Sequence, residues 1–191
     1  MKKINNKVLA IGLIVLVGIF VVARLVRAPK LEGNVRRELV TLDVSKVTEV
    51  RIATGDSSIA LMKEDGKWNV RRGDNKFEAD SAGVARLLQS IQSLKALRMA
   101  SRKREKWSDF KVDSTATHVT AFYGGDKEAD LYIGKLGFDQ SAGGNGQFDS
   151  QSIKPYTYVR LGDEDEVYIV DGFLGSMVPA GLNEWKKKAS E

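Results

Sequence analysis

The chain carries a single histidine, His118, and no cysteine, and these two facts bound its chemistry first. A zinc centre draws three or four ligands from cysteine, histidine and carboxylates at short spacing, and one histidine without cysteine does not supply that set. His118 lies in the alternating stretch Thr117–Tyr123, on the opposite face from Val119 and Ala121. It reads as a satisfied or solvated side chain, and no serine–histidine–acid arrangement can be built on it. Gly134-Lys135 lacks the upstream glycine and the following Ser/Thr of a phosphate loop. The glycine-rich Ser141–Gln147 stretch, "SAGGNGQ", opens no helix, as a phosphate cradle would. It reads as a flexible loop, with ligand binding as the alternative. Asp163-Glu164-Asp165-Glu166 gathers four carboxylates at a hairpin tip without the spacing of a calcium loop, and reads as a solvated turn. No catalytic, cofactor or metal residue is assigned, and the expectation is a protein that is not an enzyme.

The elements that would position such residues follow from periodicity. Val47–Thr54 and Ser57–Glu64 alternate around a Gly55-Asp56 turn, and Lys67–Arg71 follows a second turn. The pattern then changes: Val84, Leu87, Leu88, Ile91 and Leu94 fall at helical spacing, and Asp80 or Ser81 can cap the start. Strands resume at Thr117–Tyr123 and Ala129–Lys135, then at Tyr156–Leu161 and Val167–Val170 after a long loop. Trp107 and Phe110 are placed in a loop, and core packing is the default for Trp68 and Trp107. The predicted fold class is α+β, with antiparallel β-hairpins packed on one main helix and a short C-terminal helix.

Ahead of this domain stands "IGLIVLVGIFVVARLVRA", within an apolar span of 19 residues from Val8 to Val26. As a helix it measures roughly 28 Å, close to the ~30 Å hydrocarbon core of a bilayer. Lys2, Lys3 and Lys7 would also suit a secretory signal, but the cleavage positions leave Arg24 or Pro29 directly after the cut. The expectation is a retained anchor: a basic N-terminus at 1–7, a transmembrane helix at 8–26, a linker at 27–41, a domain at 42–178 and a tail at 179–191. Arg24, Arg27, Lys30, Arg36 and Arg37 follow the span, so charge counting alone leaves orientation open. From Glu38 onward 22 basic residues stand against 24 acidic ones, so the basic balance belongs to the membrane flanks and nucleic-acid binding is excluded.

Two further stretches hold candidate contacts. "KALRMASRKREK", Lys95–Lys106, has six basic residues and one acid. It reads as a solvated helix end, with an acidic partner surface or a lipid patch as the alternative. In "GFLGSMVPAGLNEWKKK", Phe173–Val178 reads as a short helix closing the sheet. Leu182 and Trp185 then have no evident core to enter, and Lys186, Lys187 and Lys188 follow at once. These five residues are the candidate docking element, for a partner protein or the headgroup region.

The order of "LDVSKVTEVRI", "ALMKEDGKWNV", "ADSAGVARLLQSIQSLKALR", "WSDFKVDSTATHVTAFY", "LYIGK", "YVRL" and "VYIVDGFLG" resembles a bacterial membrane-anchored family, DUF4340-like, whose members are associated with ABC-type and gliding-motility-type transporters. The stretch Phe110-Lys111-Val112-Asp113 carries no proline where that family's pattern has one, as in a divergent member. The resemblance implies a single-pass protein of the inner (cytoplasmic) membrane with its domain outside the cytoplasm. It implies a non-catalytic accessory or scaffold subunit of an ABC-type transporter, held to membrane lipid through residues 8–26. An envelope structural or adhesion module without a transporter partner is the alternative. The family carries no established catalytic residues, and no cofactor is implied.

Overall fold

The computed structural model describes residues 38–140 and 153–188. The predicted transmembrane helix at 8–26, most of the linker and the Ser141–Gln147 loop lie outside these residues. Among the described residues no helix is long and apolar enough to cross a membrane.

Among the described residues nine strands form a single antiparallel sheet: β1 Glu49–Thr54, β2 Ser57–Glu64, β3 Lys67–Arg72, β4 Asn75–Glu78, β5 Ala96–Ser101, β6 Thr117–Tyr123, β7 Asp126–Gln140, β8 Ile153–Leu161 and β9 Val167–Asp171. Their spatial order is β4-β3-β2-β1-β6-β7-β8-β9-β5. Hairpin neighbours in sequence are therefore neighbours in space, except where β1 pairs with β6 and the chain returns β5 to the far edge beside β9. Among the described residues two short α-helices accompany the sheet, α1 Ser81–Gln92 and α2 Trp107–Phe110.

This corrects the α+β expectation of hairpins on one main helix with a short C-terminal helix: the described chain is mostly sheet. The helix ends earlier than its apolar spacing implies. α1 stops at Gln92, and the residues after Leu94, expected as a basic helix end, form strand β5 instead. Ala, Leu, Arg and Met favour helix intrinsically, but pairing with β9 and burial of Ala96 and Met99 override that preference. The expected C-terminal helix is likewise replaced by two isolated 3₁₀ turns, Leu174–Met177 and Asn183–Trp185, separated by Pro179 and Gly181. Strand β4 carries no signal in the sequence, because its four residues are all exposed and show no alternation of burial.

Register explains which face is buried. Val70, Leu61, Val50, Ala121 and Ala129 lie side by side across β3, β2, β1, β6 and β7, and Ile59, Ile52, Val119, Leu131 and Leu161 form the next row. Val84, Leu87, Leu88 and Ile91 of α1 join these rows in one contiguous core. Asp80 caps the helix, its carboxylate accepting a 3.0 Å hydrogen bond from the Ala82 amide. The second face of the sheet is polar and aromatic, and α2 lies against it.

Candidate functional site

His118, Tyr132, Arg160 and Val167 stand opposite one another on β6, β7, β8 and β9, one cross-strand row on the face away from α1. The side chains of His118, Tyr132 and Arg160 stack in that order. The imidazole of His118 lies on the Tyr132 ring at 4.2 Å, nearly parallel. The Arg160 guanidinium sits 3.9 Å from the Tyr132 centroid and 3.8 Å from that of Trp107, which α2 brings over it. Arg104 covers the outer face of Trp107 at 4.8 Å. Arg160 is only 4% exposed. It donates to the carbonyls of Val112 (3.1 Å) and Leu161 (2.9 Å), so carbonyl oxygens and two ring faces replace the water it has lost.

Asp130 adjoins this row. His118 Nε2 approaches one carboxylate oxygen at 2.5 Å and Lys127 Nζ donates to the other at 2.6 Å. Burial raises the Asp130 pKa, but the hydrogen bonds and charges of Lys127 and His118 outweigh it and hold the carboxyl below the usual range. The lone histidine is thus held against Tyr132 and Asp130. The acidic turn also has a structural role: the Asp165 carbonyl accepts from Trp107 Nε1 at 2.9 Å, and the Glu164 carboxylate accepts from the Tyr168 hydroxyl at 2.6 Å. Among the described residues no group of His, Asp and Glu side chains could hold a metal ion.

Gly134, rejected as part of a phosphate loop, lies inside β7 beneath α2, where a Cβ would collide with the Phe110 carbonyl and Val112. Phe110 packs on Tyr158 at 4.7 Å, and Lys135 Nζ lies above both rings. Burial and the adjacent Tyr156 hydroxyl push Tyr158 up to about 12, so its phenol stays protonated near neutral pH. The interlocked rings and cations on this face fasten α2 to the sheet. Trp68 is buried in the α1 core, whereas Trp107 is half-buried on this other face.

The tail is packed onto the domain rather than standing clear of it. Trp185 is 4% exposed and belongs to the core, with Leu182 packed against it, which corrects the premise that neither has a core to enter. The Trp185 indole donates to the Pro179 carbonyl at 2.6 Å, and the Trp185 carbonyl accepts from the Asp80 amide at 2.8 Å. The Lys187 amide donates to the Glu78 carbonyl at 2.9 Å, and its ammonium pairs with the Glu78 carboxylate at 2.7 Å. Lys186 covers the Phe77 ring. The tail thereby clips onto β4, and of the five candidate docking residues only Lys187 and Lys188 are exposed.

A different surface concentrates exposed apolar side chains. Between the end of α1, β5, β9 and the Leu174–Met177 turn runs a groove of about 390 Å³, lined by Leu94, Leu97, Val170, Phe173, Leu174 and Met177 among others. Leu97 is 59% exposed, Phe173 49% and Met177 40%. Phe138, 53% exposed, meets Phe173 edge-to-face at 6.3 Å. Large apolar side chains gathered at one solvent-facing place mark a site of contact with a partner, a membrane or a ligand. The groove is not legible in the sequence, because local pattern puts Leu97 in a helix and Phe138 in a loop, and only the strand pairings bring them toward Phe173.

No curated protein and no solved structure matches the chain. A family model described as "Domain of unknown function (DUF4340)" matches residues 68–190, from Trp68 in β3 through the tail. That match spans well over half of the sequence, and the chain belongs to the DUF4340 family.

Proposed function

We propose that the protein is a non-catalytic binding or scaffold subunit, anchored by residues 8–26 in the inner (cytoplasmic) membrane, with its sheet domain outside the cytoplasm and an ABC-type transporter subunit as its partner. The observation that carries the binding reading is the exposed cluster of Leu97, Phe138, Phe173 and Met177 around one groove. The ionisable groups of the other face support it: His118, Asp130, Lys127 and Arg160 are engaged with one another or with backbone and rings. The anchor rests on the length of the apolar span, and the transporter partner and orientation rest on the family resemblance. An envelope structural module is the second reading, distinguished by the absence of a transporter partner.

Affinity purification of the full-length protein from membranes in mild detergent, after cross-linking in cells, tests the partner. Recovery of a transporter subunit is the expected result, and recovery of envelope polymer or of nothing removes it. Intact-mass measurement of the membrane fraction should show the chain from Met1, or lacking only that residue. A mature N-terminus at Arg24 or Pro29 would remove the anchor. Protease added to spheroplasts should digest the domain, and digestion only after permeabilisation would reverse the orientation.

A further inference from the structure

The two edges of the sheet are treated differently. At β4 the tail supplies backbone partners to Glu78 and Asp80. At the other edge, β5 pairs with β9 alone, and among the described residues no strand lies along its outer side from Ala96 to Ser101. Such an edge presents unpaired N–H and C=O groups to any extended chain. The ladder to β9 slips between Ala96 and Arg98, making Leu97 an extra residue, and a bulge of this kind re-aims a side chain. Leu97 stands 59% exposed beside the groove. The edge is also cationic: the Lys95–Lys106 stretch holds six basic residues and one acid, and Lys95, Arg102 and Lys103 are exposed.

We propose that the outer edge of β5 accepts an extended acidic segment of a partner polypeptide as a tenth strand, with carboxylates against the basic residues and an apolar side chain beside Leu97 in the groove. This rests on the reading of the domain as a binding subunit and specifies the partner's chemistry. Main-chain hydrogen bonds would supply affinity and the groove would supply side-chain selection. Charge decides between occupants. A second copy would bring its own basic strand against this one, and like charges set opposite each other select against that pairing. The chain's own residues 31–37, "LEGNVRR", precede the Glu38–Lys95 bridge but carry two arginines to one glutamate. An acidic strand meets neither objection.

The test uses the full-length protein in detergent and a fluorescent peptide of six residues, the length of β5, alternating glutamate and valine, with its lysine–valine counterpart as comparison. Anisotropy should report binding of the glutamate peptide that weakens with salt, with the lysine peptide at least about tenfold weaker. Leu97→Asp and the double variant Lys95→Glu/Lys103→Glu should lose binding while melting like the wild type, and Lys63→Glu, on β2, should retain it. No binding, equal binding of both peptides, or indifference to all of these variants overturns the proposal. Concentration-dependent dimers abolished by Leu97→Asp would assign the edge to a second copy. Binding that appears only after removal of residues 1–37 would assign it to the chain itself. A transporter subunit still captured by Leu97→Asp would sink the edge and leave the binding reading standing. Peptide binding without any membrane partner would do the reverse.

Discussion

At the scale of single residues the domain is held by a few buried groups whose replacement has a defined direction. Leu88 is fully buried between α1 and the sheet, so Leu88→Asp places a charge in the core without a partner. The expected loss exceeds about 4 kcal/mol, a large share of a typical domain's stability, and should appear as an unfolded chain by circular dichroism. Asp130 makes a pH-dependent contribution. Its pKa in the folded protein lies below the ordinary value because Lys127 and His118 outweigh the burial that raises it. A depressed carboxylate stabilises the fold above the unfolded pKa of about 3.9 and loses that contribution as pH falls through the lower folded value. Asp130→Asn should therefore melt below the wild type at pH 7, by the ~1.5–3 kcal/mol of a charge-assisted hydrogen bond. The gap should close as both are titrated below about pH 4. A constant gap across that range would show that Asp130 acts by packing alone.

Two elements decide how the sheet is closed. Helix α1 starts at Asp80, whose carboxylate caps the Ala82 amide while its backbone amide holds the Trp185 carbonyl. Asp80→Ala removes only the first of these and should cost about 1 kcal/mol, measured by urea midpoint with an unchanged slope. The tail contributes more. Trp185→Ala empties a buried indole site and should cost about 3–5 kcal/mol. Deleting Leu182–Glu191 should lower the melting temperature at least as much, since it also uncovers β4. An unchanged melting temperature would show that the tail lies on the domain without supporting it.

At the largest scale the described residues form a single antiparallel sheet with α1 on one face and a ring-and-cation layer on the other, and no metal cluster exists among them. Chelator should leave the melting temperature of the full-length protein unchanged, and a fall of several degrees with EDTA would reveal a bound ion. Local elements were legible in the sequence wherever side chains alternate or recur at helical spacing. Strand β2 runs over the predicted Ser57–Glu64, and α1 begins at the predicted cap and buries Val84, Leu87, Leu88 and Ile91. Those signals are short-range, because amphipathic period depends only on neighbouring residues. The groove was not legible, nor was the stacked row, because both depend on which strands pair and in what register. His118, Tyr132 and Arg160 are 14 and 28 positions apart in sequence, yet pairing of β6, β7 and β8 sets them side by side. The same long-range pairing turned Ala96–Ser101 from a helical extension into the edge of the sheet and gave Trp185 a core to enter. The sequence by itself determined the period of the alternating strands and of α1, the family and the charge balance of the soluble part. Only the tertiary structure decided the partner of each strand, because burial and main-chain pairing between distant segments outweigh local preference.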